Sequence, residues 1–249
     1  MKYILKVYRG SKEKQYFEEF ELDYIENSNV ISSLLQIQKN PTNIKGEKVA
    51  PISFEMSCLE EICGACSMLI NGYPRQACTA LIKPLIEKNK TIILAPLSKF
   101  NVIRDLVVDR SKMFDQLKKI NAWIDVNDID PETFGVKIPP SVRDALYILS
   151  KCMSCGCCME ACPQYNDHSK FIGPQLISQI MLFNKHPLGN NLKDERFLHL
   201  INDGGVSDCG NAQNCKKVCP KEIELTEAIA TAGKEATKYL LKKLFSFKK

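Results

Sequence analysis

Residues 152–163 read CMSCGCCMEACP, and residues 209–220 read CGNAQNCKKVCP. The first stretch is C-x2-C-x2-C-x3-C-P. With this spacing three thiolates on one tight loop grip a cubane iron–sulfur cluster, while the fourth cysteine ligates a second cluster. Such a run predicts a partner run, and 209–220 supplies it. Laid over the first, its Cys209, Cys215 and Cys219-Pro220 match the first, third and fourth cysteines, and Ala212 stands where the second would be. Alanine carries no ligand atom. Exchange of the fourth cysteines then predicts Cys152, Cys155, Cys158 and Cys219 at a complete 4Fe-4S cluster. Cys162, Cys209 and Cys215 are left at a site of three thiolates. The expected occupant there is a 3Fe-4S cluster, because the cube corner without a ligand loses its iron; water or hydroxide at that corner is the alternative. Cys157 breaks the spacing and is expected to be a packed free thiol.

Working back along the chain, residues 58–78 read CLEEICGACSMLINGYPRQAC. The spacing of Cys58, Cys63, Cys66 and Cys78 is C-x4-C-x2-C-x11-C, the plant-type arrangement for a 2Fe-2S cluster. Three thiolates lie on one short loop, and the fourth follows a turn at Asn71-Gly72. Gly64 and Ala65 are small enough for backbone N–H groups to approach the cluster sulfurs. Four cysteines can also hold zinc, but structural zinc more often uses paired C-x2-C knuckles. These assignments account for eleven of the twelve cysteines.

Composition agrees with this use of sulfur. The 249 residues are 45% hydrophobic and 25% charged, enough for a sizeable core without disulfide staples. The start, MKYILKVYRGSKEKQ, becomes charged too soon for a signal peptide, and no stretch approaches 18 uninterrupted apolar residues. The cysteines are therefore expected in a reducing compartment, where dense cysteines are metal ligands rather than disulfides. A net charge of +5 fits an acidic partner or an anionic membrane surface and does not point to nucleic acid.

The fold class expected is α+β. Tyr3–Tyr8 and Phe17–Leu22 read as a hairpin, Ser28 and Asn29 as the cap of a short helix from Val30, Met68–Ile70 as a strand entering the Asn71-Gly72 turn, and Thr91–Leu94 as a buried strand. The second half reads as helix: Val102–Trp123, Ser141–Ser150, Pro174–Phe183, Lys193–Ile201 and Leu225–Leu244, with a loop over Asn127–Pro140. The expected division is 1–103 for a 2Fe-2S domain and 104–249 for a helical domain with two clusters.

Taken together, CLEEICGACSMLINGYPRQAC, VIRDLVVDRS (102–111), KCMSCGCCMEACP (151–163) and DCGNAQNCKKVCP (208–220) resemble the iron–sulfur subunit of succinate dehydrogenase and fumarate reductase, over essentially the whole chain. The resemblance implies an N-terminal plant-type ferredoxin (β-grasp) domain and a C-terminal helical ferredoxin domain. It implies docking between an FAD-containing flavoprotein and a membrane anchor of cytochrome b type, on the cytoplasmic face of a bacterial membrane. The 2Fe-2S cluster would face the flavin and the 3Fe-4S cluster the quinone. Members that use ubiquinone place a tryptophan after the first run and a histidine after the first cysteine of the second. Here Asp167 and Gly210 hold those positions. FNKHP (183–187) and GGVSDCGNAQNC (204–215) look like the menaquinone-linked type.

Of the remaining residues, His168 is expected in an exposed loop, with proximity to the quinone as the alternative. His186 and His199 carry no pattern, and Trp123 is expected in the core. Arg75 and Arg110 are candidates to pair with partner carboxylates. The basic, amphipathic KYLLKKLFSFKK (238–249) is a candidate for contact with anionic lipid or the anchor, or a solvated helix end.

Overall fold

A computed structural model of the chain describes residues 1–124 and 137–246. In chain order the first elements are β1 (Lys2–Gly10), β2 (Gln15–Asp23), α1 (Val30–Lys39), β3 (Ser67–Ile70), β4 (Tyr73–Gln76), α2 (Ile82–Lys88), β5 (Thr91–Ala95), β6 (Asn101–Arg104) and β7 (Val107–Asp109). Helices follow: α3 (Ser111–Lys119), α4 (Pro140–Ser150), α5 (Cys157–Glu160), α6 (Pro174–Lys185), α7 (Lys193–Ile201), α8 (Asn214–Lys217) and α9 (Leu225–Ser246). The chain forms two units. One is Met1–Arg110 with Met153–Glu160; the other is Ser111–Cys152 with Ala161–Lys249.

The first unit is built on a five-stranded sheet of order β2-β1-β5-β3-β4. Only the β1–β5 pairing is parallel; the others are antiparallel. In β1 the residues alternate, so that Tyr3, Leu5 and Val7 point inward. They share a core with Ile92 and Leu94 of β5 and with Val30, Ile31, Leu34 and Ile37 of α1. Helix α1 starts where its cap forms: Asn29 Oδ1 accepts the Ser32 N–H at 2.8 Å, and Ser32 Oγ accepts the Asn29 N–H at 3.2 Å. The β3–β4 hairpin turns on Asn71 (φ 52°) and Gly72 (φ 77°), the pair of left-handed residues that a two-residue turn needs.

The helix expected over Val102–Trp123 is only half present. Residues 101–109 form the β6–β7 hairpin, and α3 begins at Ser111. Asp105 is the reason. It turns the chain at φ 50°, and its carboxylate accepts the N–H groups of Gly10 and Ser53, each at 2.8 Å. The flanking β-branched Val102, Ile103, Val107 and Val108 favour extended backbone. Trp123 lies beyond α3 and is 45% exposed, against its expected place in the core.

In the second unit, α6 packs against α4, α7 and α9. Its Leu176, Ile177, Ile180 and Met181 are fully buried. Arg196 of α7 is also fully buried and, among the described residues, has no carboxylate within ion-pair distance. Its guanidinium donates to the carbonyls of Asn121 (2.9 Å), Trp123 (2.7 Å) and Gly189 (2.8 Å) and to Asn184 Oδ1 (3.3 Å). The helices expected around residues 141–150, 174–183, 193–201 and 225–244 are present. The loop expected over Asn127–Pro140 lies outside the described residues as far as 136. Among the described residues no helix is long and apolar enough to cross a membrane.

Candidate metal centres

The loop 58–66 wraps around its own sulfurs. Leu59 (φ 61°), Glu61 (φ 56°) and Gly64 (φ 75°) are left-handed, and each reverses the chain so that N–H groups turn inward. Cys58 Sγ accepts N–H bonds from Glu60 (3.4 Å), Ile62 (3.3 Å) and Cys63 (3.3 Å), and Cys63 Sγ accepts one from Ala65 (3.4 Å). These donors hold the Cys58 thiol down to about 7. Cys66 and Cys78 flank the β3–β4 hairpin and are buried. Burial, with Cys78 beside it, pushes the Cys66 thiol up to about 12. The Cys66 thiol gives up its proton to a metal that replaces it. The donor set therefore fits a 2Fe-2S cluster: two thiols on the loop surrounded by N–H groups and two buried at the hairpin.

Gly64 cannot be enlarged. A Cβ there would lie 2.9 Å from Cys155 Cβ, and φ is already positive. The loop is also held from behind. Arg110 donates to the carbonyls of Gly64 (2.9 Å) and Ala65 (3.1 Å) and pairs with Glu55. Arg110 is therefore engaged within its own chain rather than offered to a partner carboxylate. Arg75 donates to the Thr79 carbonyl at 3.4 Å. No spacing rule marks Arg110; only the return of the chain along β6 and β7 brings it behind the loop.

In the same unit, Gly156 (φ 88°) leads into the single turn of α5. Cys155, Cys157 and Cys158 are all buried there. A hydrogen bond from Cys157 holds the Cys155 thiol down to about 7, with the Arg110 charge adding to the effect. The same bond, together with burial, pushes the Cys157 thiol up, so Cys157 stays protonated. Glu160 fixes the turn: its carboxylate accepts from Ser98 Oγ (2.5 Å) and from the Lys99 N–H (3.0 Å). Glu160 carried no signal in the sequence, since a glutamate on a helix reads as solvated.

In the second unit a small cavity is lined by Cys162, Cys209, Cys215 and Ala212, among others. Cys219 is not among its lining residues; it follows α8, its N–H bonded to Lys216 O at 3.3 Å. Asn211 (φ 51°) and Gln213 (φ 59°) are left-handed on either side of Ala212, and Asn214 Nδ2 ties this loop to Ala161 O at 3.1 Å. Burial, with Cys162 and Cys209 nearby, pushes the Cys215 thiol up to about 11. Three thiols and one methyl group thus face one space. Cys152 follows α4 in this unit, its N–H on Leu149 O at 3.3 Å. A Cβ on Gly210 would meet the Gln164 side chain at 2.6 Å. His168 is exposed, and His186 Nδ1 accepts the Leu188 N–H at 3.3 Å. Among the described residues no three His, Cys, Asp or Glu side chains converge closely enough to hold a single ion.

Residues 4–115 match a 2Fe-2S iron-sulfur cluster binding domain, and residues 148–223 match a 4Fe-4S dicluster domain. The chain is 51% identical over 233 residues to the succinate dehydrogenase iron-sulfur subunit of Bacillus subtilis, covering 92% of this chain and 90% of that protein. It is 30% identical over 221 residues to the fumarate reductase iron-sulfur subunit of Wolinella succinogenes, covering 87% and 88%. A chain of the Mycobacterium smegmatis Sdh1 complex in the apo form shares the fold, with a TM-score of 0.80 at 21% identity over 96% of each chain. The chain belongs to the family of iron–sulfur subunits of succinate dehydrogenase and fumarate reductase.

Proposed function

We propose that this chain carries electrons, one at a time, between the FAD of a flavoprotein subunit and a membrane quinone, as part of a succinate:quinone oxidoreductase. The ligand sets are Cys58, Cys63, Cys66 and Cys78 for 2Fe-2S; Cys152, Cys155, Cys158 and Cys219 for 4Fe-4S; and Cys162, Cys209 and Cys215 for 3Fe-4S. When bound, the clusters supply one-electron redox chemistry between a two-electron dicarboxylate reaction and a two-electron quinone reaction. The protein supplies the rest. Inward N–H groups stabilise added negative charge on the Cys58 and Cys63 sulfurs. Burial keeps water from Cys66, Cys155, Cys158 and Cys215.

The anchor is expected to be a cytochrome b, and the chain to sit peripherally on the cytoplasmic face of a bacterial membrane. The exposed Leu244 and Phe245, beside Lys242 and Lys243, suit that position. Menaquinone is the quinone proposed. Gly210 leaves its position to the Gln164 side chain, so the histidine of ubiquinone-linked members has no room without displacing Gln164. The match to a succinate dehydrogenase subunit favours succinate oxidation; the same subunit plan serves fumarate reduction.

The observation that carries the three-thiolate site is the cavity shared by Cys162, Cys209, Cys215 and Ala212. Ala212→Cys tests it in the assembled complex. The oxidised wild type is expected to show the EPR signal of a 3Fe-4S centre, and the variant to lose it, at least in part, as a fourth iron is retained. A folded variant whose oxidised 3Fe signal is undiminished removes the assignment.

A further inference from the structure

Gln76 closes β4 with its side chain fully buried, in contact with sulfur on two sides. Its Oε1 lies 3.5 Å from Cys66 Sγ and 3.2 Å from Ser67 Oγ. Its Nε2 lies 2.8 Å from Ser67 Oγ and 3.6 Å from Cys157 Sγ. Ser67 and Cys157 are themselves buried, and Ser67 Oγ also donates to Gly64 O at 2.7 Å. A primary amide in an apolar core is costly unless all its groups are matched. A leucine would fill this space without that cost, so the amide calls for an explanation.

The thiols provide one. With Cys66 protonated, its S–H donates to Oε1, and Cys157 accepts from Nε2 while its own hydrogen goes to Cys155. Once Cys66 is a thiolate on iron it can only accept, and Oε1 would then face a second acceptor. A half-turn of the amide exchanges O and N at almost no steric cost. Nε2 then donates to Cys66 Sγ, and Oε1 takes the Cys157 hydrogen, leaving Cys155 without it; the Ser67 hydroxyl turns its hydrogen from Gly64 O to Oε1, and Gly64 O keeps its bond from Arg110.

We propose that Gln76 is a positioning residue that donates an N–H to the Cys66 sulfur in the loaded protein and raises the reduction potential of the 2Fe-2S centre, with the Cys157 thiol satisfying its carbonyl. A donor to a ligand sulfur stabilises the more negative, reduced state. The proposal rests on reading Cys66 as a 2Fe-2S ligand. It also gives the twelfth cysteine a role, as a donor whose hydrogen is contested by Gln76 and Cys155.

The test uses redox titration of the assembled complex, followed by EPR. Gln76→Leu is expected to lower the 2Fe-2S reduction equilibrium about tenfold, ~59 mV for one electron. The 4Fe-4S potential should hold or rise, because the Cys157 hydrogen returns to Cys155. Pulsed EPR of the reduced 2Fe-2S centre should lose one exchangeable proton coupling. Cys157→Ala should lower the 2Fe-2S potential and leave the 4Fe-4S potential near wild type, because in the loaded protein its hydrogen lies on Gln76 rather than on Cys155. An unchanged 2Fe-2S potential in a loaded Gln76→Leu variant, or an equal fall in both centres, overturns the proposal. If Gln76→Leu fails to load, Cys157→Ala decides alone, and an unmoved 2Fe-2S potential overturns it. Cys66→Ser separates the underlying reading: a 2Fe-2S signal untouched by that change removes Cys66 as a ligand, whatever Gln76 does.

Discussion

Arg110 shows how one side chain can serve both geometry and charge. Its guanidinium fork meets two successive carbonyls of the cysteine loop, and Glu55 anchors its other side. Hydrogen bonds from a charged group contribute about 1.5–3 kcal/mol each, so losing both should loosen the loop substantially. Lysine keeps the charge but cannot reproduce the fork. Arg110→Lys is therefore expected to hold the 2Fe-2S potential near wild type while surrendering iron to a chelator several-fold faster. Arg110→Leu should do both: lose iron faster and titrate at a lower potential, because a nearby positive charge no longer offsets the added electron. Iron release that matches wild type in both variants would show that the loop is held by its own turns. The cysteine runs stand out in the sequence because their spacing is local. Arg110, Gln76 and Glu160 do not, because each reaches its partner only through the tertiary fold.

At the level of elements, the legible pieces were those that write their own chemistry into sequence. Asn29 with Ser32 makes a cap, and Asn71-Gly72 makes a turn, without help from distant residues. The β6–β7 hairpin was misread as helix because Val102 and Leu106 are four apart, a spacing that a strand–turn–strand also allows. The decisive contacts come from Gly10 and Ser53, ninety-five and fifty-two residues from Asp105 in sequence. Arg196 was equally hidden: KDERF reads as an exposed charged face, yet its arginine turns inward onto carbonyls. Asp105 is 2% exposed on its side chain and also lies beside the buried Arg9. Asp105→Ala leaves two N–H groups without their acceptor and takes away one of the two carboxylates beside the buried Arg9, and should cost about 3–5 kcal/mol of stability. Asp105→Asn should cost less, since asparagine tolerates the left-handed turn and retains one acceptor oxygen. Thermal unfolding of the loaded protein followed by circular dichroism would rank the three. Equal melting temperatures would mean that the hairpin is not held by this carboxylate.

Across the whole molecule the two units are expected to depend on metal to different degrees. The first has a sheet whose central strands, β1 and β5, pair with each other and carry Leu5, Val7, Ile92 and Leu94 into a hydrophobic core that also includes Cys66 and Cys78 and is expected to hold without its cluster. In the second, residues 202–224 join α7 to α9 with nothing longer than single turns, Val206–Asp208 and Asn214–Lys217. That stretch buries Cys215 and holds Cys209 and Cys219, so its order is expected to come from the metal its thiols bind. Hydrogen exchange of the protein before and after removal of iron should separate the two cases. Without iron, amides of β1, β5 and α1 should keep their slow exchange, while those of 202–224 should exchange at rates close to an unstructured chain. Reconstitution with iron and sulfide should restore protection there first as the clusters reform. If β1 and β5 lose protection to the same extent as 209–219, the sheet also depends on its cluster, and hydrophobic burial in the first unit is not sufficient to hold it.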